Sequence, residues 1–191
     1  TDITGSYPVL RLDPDFRLNI PLSITAFGDD TLAMAGRAYD NVILHTFFTD
    51  ETTAHAVRTV KTAAVQAGRD PDSVKVWSCF ATIGDHISPE LQLKKTVGRL
   101  ATYLQAYGDL MVTTNKWDPA VLQKFRENEF VRTFPGAFDA KGTTDDLERI
   151  APLLPDEWLA PAAMGTPEQC GAAIRNQFAL GSDGVIMHGA T

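Results

Sequence analysis

Apolar and polar positions along this chain follow two different periods. Four short runs are apolar at nearly every place: "PLSITAF" (21–27), "NVILH" (41–45), "VKVWSCFATIG" (74–84) and "DGVIMHGA" (183–190). Runs of that length without alternation read as strands covered on both faces. Elsewhere the apolar residues recur at helical spacing. In "DTLAMAGRA" Leu32, Ala35 and Ala38 share one side, and Asp29 or Asp30 is the expected N-cap. Residues 49–71 carry full helix punctuation: Thr49 as N-cap, Asp50 and Glu51 in the positive first turn, Gly68 as C-cap and Pro71 beyond. The apolar stripe expected there is Ala54, Val57, Val60, Ala64 and Ala67.

Residues 85–182 change in texture. Three start signals, "SPE" at Ser88, "DPA" at Asp118 and "TPE" at Thr166, each place Pro at the first helical position. The first predicts a helix with Leu93, Val97, Leu100, Leu104 and Tyr107 on its apolar face and Gly108 as its stop. "TTDDLERIAPLLP" and "DEWLAPAAMG" read as shorter helices, and the first 20 residues, with two prolines and little periodicity, as an irregular lead-in. "YDNVILH" (39–45) and "SDGVIMH" (182–188) echo one another: each follows a helix, has Asp in second place and ends a Val-Ile run on His. Two helix-to-strand units of one design imply a parallel βα repeat, because parallel strands need crossover helices.

Composition limits what such a domain can do. The 191 residues carry 17 basic against 24 acidic side chains, a formal charge of −7, which is a poor background for nucleic acid or an anionic membrane. Any anion site must be local. No run approaches the roughly 20 apolar residues of a membrane span, and the first residues lack the plan of a secretion signal, so the chain reads as cytoplasmic. Cys79 and Cys170 have no metal spacing and read as buried free thiols. Hydrolase triads in sequence order, phosphate-binding Walker loops, "HExxH" and "GxGxxG" are not present.

At this level the residues resemble a known family. "ITAFGDDTLAMAGRAYDNVILH", "AAVQAGRDPDSVKVW" and "GSDGVIMHGAT" look like the second half of the luciferase-like flavin and deazaflavin oxidoreductases. "GRLATYLQAYGDLMV" and "LLPDEWLAPAAMGTPEQC" are similar to the branch that uses the deazaflavin coenzyme F420. The resemblance implies an α/β fold, the C-terminal half of a (β/α)8 barrel. Residues 1–191 would form one unit with four parallel strands and a large helical insertion before the last. It also implies that an N-terminal half and a short final helix belong to the protein but lie outside this chain, which starts without Met and stops after a strand-like run. A homodimer, common in the family, and a small-molecule substrate are the expected partners.

In such a barrel the functional groups gather at the carboxyl ends of the strands. That rim would collect Ala26, Phe27 and Gly28, then His45, then Gly84, Asp85 and His86, then His188, Gly189 and Ala190. By resemblance the coenzyme's phosphate lies beside "AFGDDT", where backbone N–H groups of Phe27 and Gly28 and the Thr31 hydroxyl would donate to it. The candidate cofactor-binding set is therefore Ala26, Phe27, Gly28, Thr31, His45 and His188.

Many relatives have Gly-Pro where this chain has Gly28-Asp29. A carboxylate within ~4 Å of a phosphate costs about 1 kcal/mol in water, so one aspartate is expected to cap the helix and the other to face solvent, with Lys94, Lys95 and Arg99 supplying the balancing charge. The alternative is that Asp29 and Asp30 simply satisfy the helix end. For His45 and His188 the alternative is a partly buried ring tied to a neighbouring loop. His55 and His86 are expected to be solvated, and Trp77 and Trp158 to be core. The implied activity is hydride transfer between coenzyme F420 and a small organic substrate. An FMN-dependent monooxygenase, or a non-catalytic half-barrel that pairs through its open edge, are the other readings. The family's hydride chemistry draws mainly on its first half, so no catalytic residue is named.

Overall fold

The computed structural model describes residues 20–189. The strands are β1 (Ser23–Thr25), β2 (Asn41–Ile43), β3 (Lys75–Gly84), β4 (Ala163–Gly165) and β5 (Gly184–His188), and every pairing among them is parallel. β3 is the spine of the sheet. It pairs with β2 over Lys75–Trp77, with β5 over Trp77–Ala81 and with β4 over Thr82–Gly84. The expected count of four strands is corrected to five by β4, which sits inside a stretch read as helix. Three residues are too few to display a period of two, so nothing in "AMG" distinguishes a strand from a turn. The irregular lead-in at residues 1–19 and Ala190 lie outside the described residues.

The crossover helices are α1 (Asp29–Ala38), α2 (Asp50–Gln66) and α10 (Pro167–Ala179). Thr49 caps α2 by accepting the Thr52 N–H, and Thr166 forms a reciprocal capping box with Gln169. The buried face of α2 is Thr52, Thr53, Ala56, Val57, Val60, Ala63 and Ala64; of the residues expected on it, Ala54 is half-buried and Ala67 exposed. In α1 the buried positions are Leu32, Ala35 and Gly36, and Ala38 is exposed. Gly36 is required by contact, since a Cβ there would collide with the Val60 carbonyl of α2.

Between β3 and β4 lies the helical insertion. It begins with α3 (Pro89–Leu93), capped by Ser88, passes through a wider π-type turn at Lys94–Gly98 and continues as α4 (Arg99–Asn115). Short helices follow: α5 (Pro119–Glu127), α6 (Glu129–Thr133), α7 (Phe138–Lys141), α8 (Thr144–Ile150) and α9 (Asp156–Leu159). Gly108 does not end α4. The helix kinks at Tyr107 (φ −151°, ψ 37°) and runs on to Asn115, and Gly108 instead lets Leu122 of α5 approach, with a Cβ there only 2.7 Å from its Cδ1. Leu100, Leu104, Met111, Phe125, Ile150 and Trp158 form the insertion's own core, with Trp158 stacked on Trp117 at 4.6 Å. A second core fills the space between the sheet and α1 and α2. Trp77 departs from expectation: it is 36% exposed on the sheet's open face, lying over Gly184 with its Nε1–H donated to Asn41 Oδ1 at 3.2 Å.

The repeated Asp has a physical reason. Asp40, just before β2, donates its N–H to the Leu22 carbonyl (3.0 Å), while its carboxylate accepts the Leu22 N–H (2.8 Å). Asp183, just before β5, does the same to Val76 (2.8 and 2.9 Å). Each aspartate thus pins the foot of its strand to one residue of the neighbour and sets the register above it. A cation from the crossover between β2 and β3 supports each latch. Arg69 of "AGRDP" donates to the Gly36 and Tyr39 carbonyls at the end of α1 (2.8 Å each) and lies 3.5 Å from Asp40. Lys61 donates to Pro71 and Val74 carbonyls and to Asp183 at 2.9 Å.

Burial alone would raise the Asp183 carboxyl; the Val76 N–H, Lys61 and Lys75 outweigh it and hold the group below the ordinary carboxylate value. A group depressed in the folded state contributes stability that is whole above its unfolded value, near 4, and is lost as pH falls through the folded one. Asp183→Asn should cost about 1.5–3 kcal/mol at neutral pH and flatten the acid limb of the stability curve, as read by denaturant melts from pH 7 down to pH 2.

Candidate functional site

Phe27, at the carboxyl end of β1, separates two concavities. The inner one, about 270 Å³, lies on the open face of the sheet and is lined by Thr25, Ala26, Phe27, His45, Cys79, Tyr103 and His188 among others. The outer one, about 570 Å³, is lined by Phe27, Gly28, Asp29, Asp30, Thr31, His55 and Lys116 with parts of α2 and α4. The structure therefore brings Ala26, Phe27, His45 and His188 together in the inner cleft and places Gly28 and Thr31 in the outer cavity, with Phe27 common to both.

His45 reaches its place through the loop after β2. Phe47 in that loop takes a left-handed conformation (φ 61°), uncommon for a non-glycine residue. Asn115, at the end of α4, fixes it by donating to the Phe47 carbonyl (3.0 Å) and accepting the Thr49 N–H (3.2 Å). The imidazole Nδ1 is 2.9 Å from the Thr46 carbonyl, which can only accept, so Nδ1 carries the proton. Nε2 is then the acceptor for the Tyr107 hydroxyl at 2.9 Å. Burial raises the Tyr107 phenol well above its ordinary value, with Tyr103 and Asp139 adding to it, so the hydroxyl keeps its proton. Burial lowers His45, the Thr46 carbonyl opposes this, and His188 lowers it further, so the ring is neutral. Phe27, Tyr103 and Tyr107 surround it at 4.8–5.1 Å between ring centroids.

Tyr103 and Tyr107 were not among the expected site residues. Tyr107 was expected only as part of an apolar stripe and Tyr103 in no role, and the kink that turns the Tyr107 hydroxyl onto His45 leaves no mark in that pattern. Cys79, expected as a buried thiol, lines the cleft half-buried, whereas Cys170 is buried as expected. His86 is exposed in its loop, as expected.

At the outer cavity the helix does not cap itself. Gly28 is the N-cap residue of α1, in extended conformation, and no side chain among the described residues closes the first turn. Asp29 and Asp30 occupy the first turn rather than the cap, and Asp29 Oδ1 accepts from His55 Nε2 at 2.8 Å, so His55 is solvated but paired. The cations expected to balance this end lie elsewhere: Lys95 donates to the Gly189 carbonyl (3.0 Å) and the Arg99 guanidinium packs against Gly189, at the carboxyl end of β5. Lys116, the left-handed C-cap of α4, lines the outer cavity instead. Among the described residues no His, Cys, Asp and Glu cluster could hold a metal, and no helix is long and apolar enough to cross a membrane.

Removing the Tyr107 hydroxyl withdraws a bond that favours neutral His45. In Tyr107→Phe, His45 should titrate at a pH about 0.7 higher, which corresponds to about 1 kcal/mol for one neutral hydrogen bond. Imidazole NMR across the titration measures this, and an unmoved titration would contradict the assigned donor.

A family model described as luciferase-like monooxygenase matches residues 4–184. Among solved structures, the chain is similar to a coenzyme F420 dependent tetrahydromethanopterin reductase from Methanopyrus kandleri. The TM-score is 0.64 at 18% identity, over 87% of this chain and 44% of that one. An F420-dependent secondary alcohol dehydrogenase in complex with an F420-acetone adduct aligns at TM-score 0.49 and 14% identity, over 90% and 43% of the two chains. A long-chain alkane monooxygenase aligns at 0.47 and 15%, over 86% and 35%. The chain spans less than half the length of these structures. No curated protein sequence gives a significant match. The parallel strands, their crossover helices and a family match over nearly the whole sequence agree, and the chain belongs to the luciferase-like monooxygenase family.

Proposed function

We propose that the protein is an oxidoreductase that moves a hydride between coenzyme F420 and a small organic substrate, and that this chain forms one wall of the coenzyme's cleft. The observation behind this reading is the pair of concavities meeting at Phe27. A coenzyme with a flat ring and a phosphorylated tail needs an aromatic, apolar slot next to a source of N–H donors, and these adjoin here.

The residues fit such a group. Phe27, Ala26 and the neutral His45 give the inner cleft an uncharged wall, and Tyr107 holds the His45 ring in one orientation. His188 lines the same cleft from the end of β5. The uncapped first turn of α1 offers backbone N–H groups and a positive helix end to a phosphate, with the Thr31 hydroxyl beside them. Among the described residues nothing lies within 4 Å of where a Gly28 Cβ would stand, which leaves that side of the loop open to close approach. Asp29 opposes an anion there, an opposition eased by its bond to His55 and by Lys116 across the cavity. When bound, the deazaflavin ring supplies the carbon centre that gives or accepts the hydride. The chain's own contribution is orientation, exclusion of water and neutrality around the ring. We assign no catalytic residue to it.

Titration of the full-length protein with F420 and, separately, with FMN tests this. Saturable binding of F420 is expected; binding of FMN alone would replace the reading with a flavin monooxygenase. Asp29→Asn should tighten the coenzyme about five-fold by removing about 1 kcal/mol of repulsion, and Thr31→Val should loosen it by a similar factor.

A further inference from the structure

The carboxyl end of β5 carries a second concentration of unmatched polarity, separate from the glycine turn. Arg99 opens α4 immediately after the wide turn Lys94–Gly98. Its Nη1 is buried and has no hydrogen-bond partner among the described residues. His188, the residue before the Gly189 against which Arg99 packs, likewise has a buried Nδ1 with no partner among the described residues. Neither Arg99 nor Lys95 forms an ion pair among the described residues, in a chain with seven more acidic than basic side chains. A buried guanidinium N–H is costly unless something accepts from it.

The position is built rather than incidental. Gly189 has a positive φ (71°), and a Cβ on it would lie 2.5 Å from Arg99 Nη1, so the exit turn of β5 is shaped around the guanidinium. Lys95 holds that turn through the Gly189 carbonyl at 3.0 Å. The Arg99 charge also acts on Cys79 and on His188, both of which line the inner cleft.

We propose that His188, which lines the inner cleft, and Arg99, packed behind it against Gly189, form an oxyanion subsite at the β5 end of that cleft, and that the substrate carries a carboxylate or phosphoryl group which binds there. Arg99 Nη1–H donates to one oxygen of the anion and the His188 Nδ1–H tautomer to another. The anion offsets the buried charge, and its placement at the β5 rim sets the rest of the substrate across the cleft towards His45. The assignment of this anion to the substrate, rather than to any other ligand, rests on the coenzyme reading given above.

The test uses the full-length protein without coenzyme, titrated with inorganic phosphate and separately with benzoate while the His188 imidazole is followed by NMR. Saturable movement with one probe is expected and identifies the group as phosphoryl or carboxylate. Arg99→Gln should weaken that binding at least ten-fold, and Arg99→Lys, which keeps charge but not the planar fork, by several-fold. Should Arg99→Gln not fold, the wild-type affinity must still fall steeply with added sodium chloride. No saturable response to either probe, or equal binding by folded Arg99→Gln, would overturn the subsite. Coenzyme affinity should be unchanged in Arg99→Gln; its loss would transfer the subsite to the coenzyme's tail and overturn the substrate assignment. Anion binding that persists where neither coenzyme binds would support the subsite and refute the coenzyme reading.

Discussion

The register of the parallel strands is the constraint on which the site depends. Side chains alternate faces along a strand, so a slip of one residue turns every inward group outward. Asp40 fixes β2 against β1 and Asp183 fixes β5 against β3, each by exchanging two hydrogen bonds with a single residue of the neighbouring strand. Five residues above each aspartate stands a histidine, His45 and His188, and both reach the same cleft. The rim that carries both histidines is thus set from the opposite end of the sheet, by carboxylates that never approach it.

Much of this was legible in the residues. Thr49, Ser88, Asp118 and Thr166 all cap helices as their sequence contexts predict, because capping is a local matter of one side chain and the next three N–H groups. The repeated Asp and His were visible as a pattern, although only the folded structure shows that the aspartates latch strands. What escaped was non-local. β4 is three residues long, Gly108 serves a helix contact instead of a helix end, and Tyr107 meets His45 across 62 positions through a kink. Trp77 was expected in the core because an indole in a strand usually is; it lies on the open face instead, over Gly184.

The charges were the least legible part. Asp29 and Asp30 stood where a cap was expected, and the helix start remained open because Asp29 turned to His55 on the adjacent helix. Lys95 and Arg99 follow β3 closely enough to suggest service at the glycine turn. The π-type turn and the start of α4 carry them instead to β5. The result is two poles of opposite design, one made from backbone N–H groups beside carboxylates and one from side-chain cations that form no ion pair among the described residues.

The contact at Gly36 bears on how the cleft can open. With backbone touching backbone between α1 and α2, no layer of deformable side chains separates the two helices there, so they must swing together as one lever. Breathing of the rim is thereby confined to the linkers on either side of that lever. These are the Gly28 corner and the segment at residues 44–49, the second of which is already clamped by Asn115. A ligand entering past Phe27 would displace a hinge at its glycine, while the helices behind it travel as a block.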